Sequence, residues 1–267
     1  MKTIAFHVNE GKAGAGDVRR ALARHARRLG LVVSDDPRGA DAVVVLGGDG
    51  TMLGAVHAFP GVPLLGLNLG SLGFLAGVEE PAFKDALKAL AKGEYSLSRR
   101  TMLSWSAPGR RAGAARNALN EIVVSRGVSG HAASIDFAVD GRPATRFSAD
   151  GLVVATPTGS TAYSLAAGGP ILMPDSQAFV VTPICPHALS SRPVVVRDSS
   201  RFSLTARIRE GSPLAVFADG EQVASLGAGE ALEIVKSSTR VTLIELAGCN
   251  PYKVLARKLG WSGSARR

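Results

Sequence analysis

The rhythm of apolar positions along this chain changes near residue 95. Before that point apolar runs alternate with amphipathic stretches. "TIAFHV" reads as a strand, and "GDVRRALARHARRLG" as an amphipathic helix with Asp17 near its start and Gly30 as its stop. A short strand at "LVVS" follows. Val43 to Leu46 then form an unbroken, β-branched run that suits a central parallel strand covered on both faces. "VPLLGLNLG" adds a further strand and "PAFKDALKALAKG" a helix, which makes the series doubly wound.

Beyond residue 95 the segments become short alternating strands. "ALNEIVVSR", "SIDFAVDGRPATRFSA", "GLVVATP", "RFSLTARI", "PLAVFADGEQVASL" and "ALEIVKSSTRVTLIEL" all read as strands or hairpins, with Asp140-Gly141 a strong hairpin signal. The expected organisation is a Rossmann-like α/β domain over residues 1–95 and a β-rich, sandwich-like domain over 96–246. In the tail, 247–267, "YKVLARKLG" reads as a helix that packs back on the first domain.

Chemistry concentrates where apolar runs end. Gly47, Gly48 and Gly50 follow the Val43–Leu46 strand and strip away every side chain that would shield the backbone, leaving Asp49 as the one reactive group of the bend. Thr51 is placed to cap the helix that continues through Met52 and Leu53. In a parallel sheet, ligands bind beyond the carboxyl ends of the strands, where this bend falls. "GKAGAG" (Gly11 to Gly16) lacks the order of a phosphate loop, with Arg19 at the Rossmann fingerprint's third glycine, and reads as a flexible loop from which Lys12 can approach a phosphate. "NLGSLGFLA" (Asn68 to Ala76) reads as a wall of the same cleft.

The second half carries its own cluster. Asn120 and Glu121 are adjacent, so both serve one ligand only at a strand end or bulge. "SADGLVVATPTGSTAYSLAAGGP" (Ser148 to Pro170) sets Asp150 before a buried strand that ends in Thr156, Thr158, Gly159, Ser160 and Thr161. Hydroxyls and bare amides at that density suit a polyhydroxylated or phosphorylated ligand, and Tyr163 offers a ring to a ribose or base. Cys185 and His187 lack further partners at metal spacing, and His187 reads as a hydrogen-bonded structural residue.

Charge and composition narrow the classes. A net charge of +9 is spread over scattered arginines with only 5% aromatic residues, which suits a solvated basic surface or small polyanions rather than nucleic acid. No apolar run approaches the ~20 residues of a membrane span. The apolar run in "MKTIAFHVNEG" is too short for a secretory signal. Two cysteines imply no disulfide framework, and a soluble cytoplasmic protein is expected.

Together "GGDGT", "NE" and "DGLVVATPTGSTAYSLAAGGP", with "PHALSSRP" and the "DGE" that begins at Asp219, resemble the NAD kinase family over residues 41–222. "GGDGT" alone is shared with phosphofructokinases and with diacylglycerol and sphingosine kinases; the long Thr/Ser segment selects the NAD kinases. The resemblance implies transfer of the γ-phosphoryl of ATP, or of inorganic polyphosphate, to the 2′-hydroxyl of the adenosine ribose of NAD, with Mg²⁺ as the divalent ion. It implies Asp49 as the base, with Gly47, Gly48, Gly50 and Thr51 against phosphate. Asp49, Gly50, Asn120, Glu121, His131, Ser148, Asp150, Thr161, Ala162, Tyr163, Ser164, Leu165, Ala166 and Gln222 (or Glu221) would contact substrate. No dedicated protein metal cage is implied, and the assembly would be a homodimer or homotetramer. Two other readings compete: a lipid or sugar kinase sharing only the glycine loop, and a sensor that binds NAD(P) without turnover.

Overall fold

The computed structural model describes residues 1–9, 11–70, 72–108, 117–127, 132–208 and 212–261. The chain folds as two units: Met1–Arg99 with Val241–Arg267, and Arg100–Arg240.

The first unit contains β1 (Thr3–Val8), α1 (Ala15–Arg28), β2 (Val32–Ser34), β3 (Ala42–Gly47), α2 (Asp49–Ala58), β4 (Leu64–Asn68), β5 (Val78–Glu79) and α3 (Phe83–Lys92). All the strand pairs are parallel, in the order β2–β1–β3–β4, with β5 continuing beside β4. Both faces are covered. Val44, Leu46, Leu65 and Leu67 share a core with Leu22 and Ala26 of α1 and Phe83, Leu87 and Leu90 of α3. Gly66 alternates with Leu65 and Leu67 and meets Met52 of α2 on the opposite face. This is the Rossmann-like, doubly wound arrangement that the apolar runs predict.

The chain leaves this unit through β6 (Tyr95–Ser106) and enters a β-rich one. Its strands are β7 (Asn117–Ala118), β8 (Glu121–Ser125), β9 (Ala133–Val139), β10 (Arg142–Ala149) and β11 (Gly151–Ala155). A short helix, α4 (Tyr163–Ala166), precedes β12 (Ala178–Ile184), β13 (Val194–Arg197), β14 (Phe202–Ala206), β15 (Leu214–Ala218), β16 (Glu221–Leu226) and β17 (Ala231–Leu246). One antiparallel sheet runs β13–β12–β11–β8–β15–β16; β10, β9, β14 and the first part of β17 pair antiparallel in another. Their facing side chains make one core, in which Phe179 of the first sheet meets Phe202 of the second at 6.2 Å between ring centres. The unit is a β-sandwich, as alternating strands with turn residues between them require.

β17 is a single 16-residue strand rather than the hairpin its sequence allows. Its end crosses back, with Leu243 beside Leu64 of β4, and α5 (Pro251–Leu259) belongs to the first unit. A continuous extended strand thus carries the chain out of the β-rich unit at residue 240, several residues before the boundary that texture alone suggests.

Candidate active site

In the first unit the glycine bend closes differently from the sequence expectation. Gly48, not Thr51, is the N-cap residue of α2, with extended backbone and no side-chain cap, and Thr51 lies within the first turn. Asp49 is therefore the first helical residue. Its carboxylate reaches across to the segment after β4: Oδ2 accepts the Phe74 amide at 2.8 Å, and Oδ1 accepts those of Leu75 and Ala76 at 2.9 and 3.1 Å. Gly73 makes this approach possible, since a Cβ there would lie 2.0 Å from Asp49 Oδ1. "NLGSLGFLA" is thus more than a cleft wall: it is the receptor of the carboxylate. Ser71 lies outside the described residues.

Beside the bend is a cleft of about 620 Å³ lined by Phe6, His7, Val8, Asn9, Arg19, Gly50 and Thr51. His7 packs edge-on against Phe59, and burial lowers its pKa, which favours the neutral ring. Half-buried Lys12 carries its ammonium to Gly70, 2.8 Å from where a Cβ would be. Neither His7 nor Asn9 is singled out by a motif. Their position at the carboxyl end of β1, the neighbour of β3, is the signal that finds them.

In the second unit Asn120 and Glu121 do sit at a strand end, where the backbone before β8 turns three consecutive amides onto one group. The Asp219 carboxylate accepts the N–H groups of Leu119, Asn120 and Glu121 at 2.8, 2.7 and 3.3 Å. Asp219 occupies the tip of the β15–β16 hairpin with φ 48°, followed by Gly220 at φ 88°. "DGE" is therefore a turn that fixes the "NE" backbone. The Asn120 side chain is half-buried.

Glu121 is 8% exposed, and its Oε2 is buried without a partner. Burial, and then the charge of Asp219, raise its pKa from 4.5 to about 7, against the hydrogen bond from the Tyr163 amide. The native state keeps a proton that the unfolded chain releases first. Stability therefore falls as pH rises from 4.5 to about 7 and is flat above that range. Glu121→Gln abolishes this titration. Its Tm, measured by scanning fluorimetry against the parent, should gain more at about pH 8 than at about pH 5; an equal difference at both would remove Glu121 from this role.

The Thr/Ser segment splits into a braced half and a presented half. Thr156 Oγ1 donates to Leu119 O at 2.5 Å and accepts from Gly159 N at 3.0 Å, while Ser160 Oγ donates to Pro157 O at 2.7 Å. Ser164 is fully buried, its hydroxyl 2.8 Å from that of Thr182. These hydroxyls hold the turn itself. Of the run, Thr161, Ala162, Tyr163, Leu165 and Ala166 reach the surface, with Tyr163 46% exposed and the Thr161 hydroxyl donating to Thr158 O at 3.1 Å.

The remaining candidates are more dispersed. Asp150 pairs with Arg126 at 3.2 Å. Ser148 is exposed on β10, and Gln222 and Glu221 are exposed on β16. His187 is exposed, and it is its backbone amide, not its ring, that is bonded, to Ser148 O at 2.9 Å. His131 lies outside the described residues. Among the described residues no three His, Cys, Asp or Glu side chains are grouped to hold a metal ion, and no helix is long and apolar enough to cross a membrane.

The carboxylate of Asp49 sits on a side-chain-free bend beyond the carboxyl end of a parallel strand, where doubly wound sheets bind their ligands. Residues 7–95 match the profile of the ATP-NAD kinase N-terminal domain and 119–246 that of the ATP-NAD kinase C-terminal domain. The NAD kinase of Syntrophotalea carbinolica is 41% identical over 230 residues, 84% of this chain and 80% of that one. The chain belongs to the NAD kinase family, and the lipid-kinase, sugar-kinase and sensor readings find no support. Among solved structures, yeast NADH kinase complexed with NADH superposes with a TM-score of 0.86 at 25% identity, over 100% of this chain and 89% of that one. An NAD kinase from Archaeoglobus fulgidus in complex with ATP gives 0.80 at 28% identity, over 98% and 100%.

Proposed function

We propose that this NAD kinase moves the γ-phosphoryl of ATP to the 2′-hydroxyl of NAD's adenosine ribose, with Asp49 as general base. The match of residues 7–95 and 119–246 to the two ATP-NAD kinase domain profiles carries the assignment, and the setting of Asp49 is compatible with it. Three amides occupy the Asp49 carboxylate, two on Oδ1 and one on Oδ2. Each carboxylate oxygen offers two lone pairs, so Oδ2 keeps one to accept a proton. A hydroxyl is a weak nucleophile, and a positioned base typically contributes ~10²–10⁴-fold.

The first unit would also take the donor. The bare backbone of Gly48, Gly50 and Thr51 can lie against phosphate oxygens, with Arg19 in the adjoining cleft and Lys12 beside Gly70 supplying positive charge. The second unit would hold the acceptor through Asn120, Glu121 and the presented residues Thr161 to Tyr163. Divalent metal, with Mg²⁺ the expected ion, neutralises charge on the transferring phosphoryl when bound. Such an ion keeps several waters and takes few protein ligands, so donor phosphates and water would be its main ligands. An exposed thiol at Cys185 suits a reducing cytoplasm. Exposed Val194 and Val195 on the edge strand β13 suit burial against a second copy, as a dimer or tetramer.

Purified protein incubated with NAD, ATP and Mg²⁺ should form NADP, measured by enzymatic cycling, with polyphosphate in place of ATP as a parallel arm. Bound NAD without NADP from either donor would end the reading.

A further inference from the structure

The segment that receives Asp49 is itself gripped from far along the chain. In α5, Lys258 Nζ lies 4.9 Å from the centre of the Phe74 ring. The neighbouring Arg257 makes a two-pronged pair with Glu79, at 2.6 and 3.0 Å. Glu79 lies in β5, directly beside Asn68 of β4, and Asn68 Nδ2 donates to Ala76 O at 3.3 Å. The Phe74 end of the segment is therefore held by a cation over its ring, and the Ala76 end by Asn68, whose neighbour across the strands, Glu79, carries the ion pair to Arg257.

We propose that Arg257 and Lys258 are positioning residues for phosphoryl transfer, and that α5 aims the Asp49 carboxylate by fixing the amides that hold it. The proposal rests on the reading of Asp49 as base. Phe74 matters most. Among the described residues its amide is the one donor to Oδ2, the oxygen with a lone pair to spare, and its ring lies beneath Lys258. The terminal torsion of an aspartate is soft, so a carboxylate released from that amide rotates. The grip adds little to overall stability, because the Arg257 and Glu79 side chains are 61% and 40% exposed and exposed pairs contribute little. Its effect falls on geometry.

The test uses the full chain carrying Arg257→Gln and Lys258→Met together. Hydrogen exchange by NMR should quicken at the amides of Phe74, Leu75 and Ala76 while those of β8 and β11 stay unchanged. kcat should fall about tenfold with KM for NAD nearly constant, since a misplacement of ~1 Å can cost up to ~10²-fold. Lys258→Arg, which keeps a cation over the ring, should retain the parent's kcat. On an Asp49→Asn background the double substitution should cost nothing further, as expected of groups that act as a unit. Unchanged exchange at the three amides would overturn the grip, and so would a loss of kcat matched by a loss of Tm and a rise in KM. If Asp49→Asn turned over normally, the base assignment would fail instead, whatever the exchange data showed.

Discussion

Asp49→Asn should lower kcat by ~10²–10⁴-fold while KM for NAD stays close to the parent's. The substitution removes the proposed proton acceptor and keeps the shape. It also has a structural consequence that can be read from the coordinates. Oδ1 accepts two amides and Oδ2 one. A carboxamide with its oxygen toward Leu75 and Ala76 turns its NH₂ toward the Phe74 N–H, donor against donor. One amide then loses its partner, at a cost of about 1–3 kcal/mol, so a small drop in Tm accompanies the loss of turnover. Steady-state kinetics with NADP detection, and NAD binding by calorimetry, check both parts. Undiminished turnover in this variant would take Asp49 out of the reaction.

The second large effect is expected at Gly159. A Cβ there would lie 2.0 Å from the carbonyl oxygen of Asn120 and 2.5 Å from its Cα, both backbone atoms that no rotamer change relieves. The Asn120 carbonyl also accepts the Thr156 amide at 2.9 Å, so moving it disturbs the braced turn and the Glu121 backbone together. Gly159→Ala should cost about 1–3 kcal/mol as an overpacked site and weaken NAD binding by about tenfold, equivalent to ~1.4 kcal/mol. Gly54→Ala is the control. It lies within α2 with nothing within 4 Å of its Cβ, and alanine in a helix interior is worth roughly 0.5–1 kcal/mol over glycine. Urea melts and NAD titrations distinguish the two. A Gly159→Ala protein as stable and as tight as the parent would show that the approach of these backbones is not needed.

The parts of this architecture that repeat locally are legible in the sequence. Strands β1, β3 and β4 and helices α1 and α3 are visible because burial on one or both faces imposes a period on their residues. The hairpin at Asp140-Gly141 is visible because its backbone needs φ 51° and 74°. What resisted reading is what depends on residues distant in sequence. The hydroxyl-rich run looked uniform, yet Ser164 is claimed by Thr182 and Thr156 by Leu119, and no local pattern announces either partner. Asp219 resembles Asp140 as a turn residue, but only the fold shows its carboxylate collecting three amides from residues about a hundred positions earlier. The same holds for Asp49, whose receptor lies 25–27 residues downstream. Long reach also accounts for Thr51: a threonine just before Met52 and Leu53 suggests a cap, whereas extended Gly48 begins the helix and Asp49 finds a distant partner.

Because the first unit draws on Val241 onward as well as on Met1 to Arg99, its order of completion during translation is fixed. The ribosome delivers every residue of the β-sandwich before the strand end that flanks β4 and the helix that meets Phe74. Domains fold as units while synthesis proceeds, so the sandwich can mature while its neighbour still waits for the last stretch. A nascent chain stalled near residue 240 would carry a finished sandwich beside an α/β unit whose Phe74 loop has yet to be fastened.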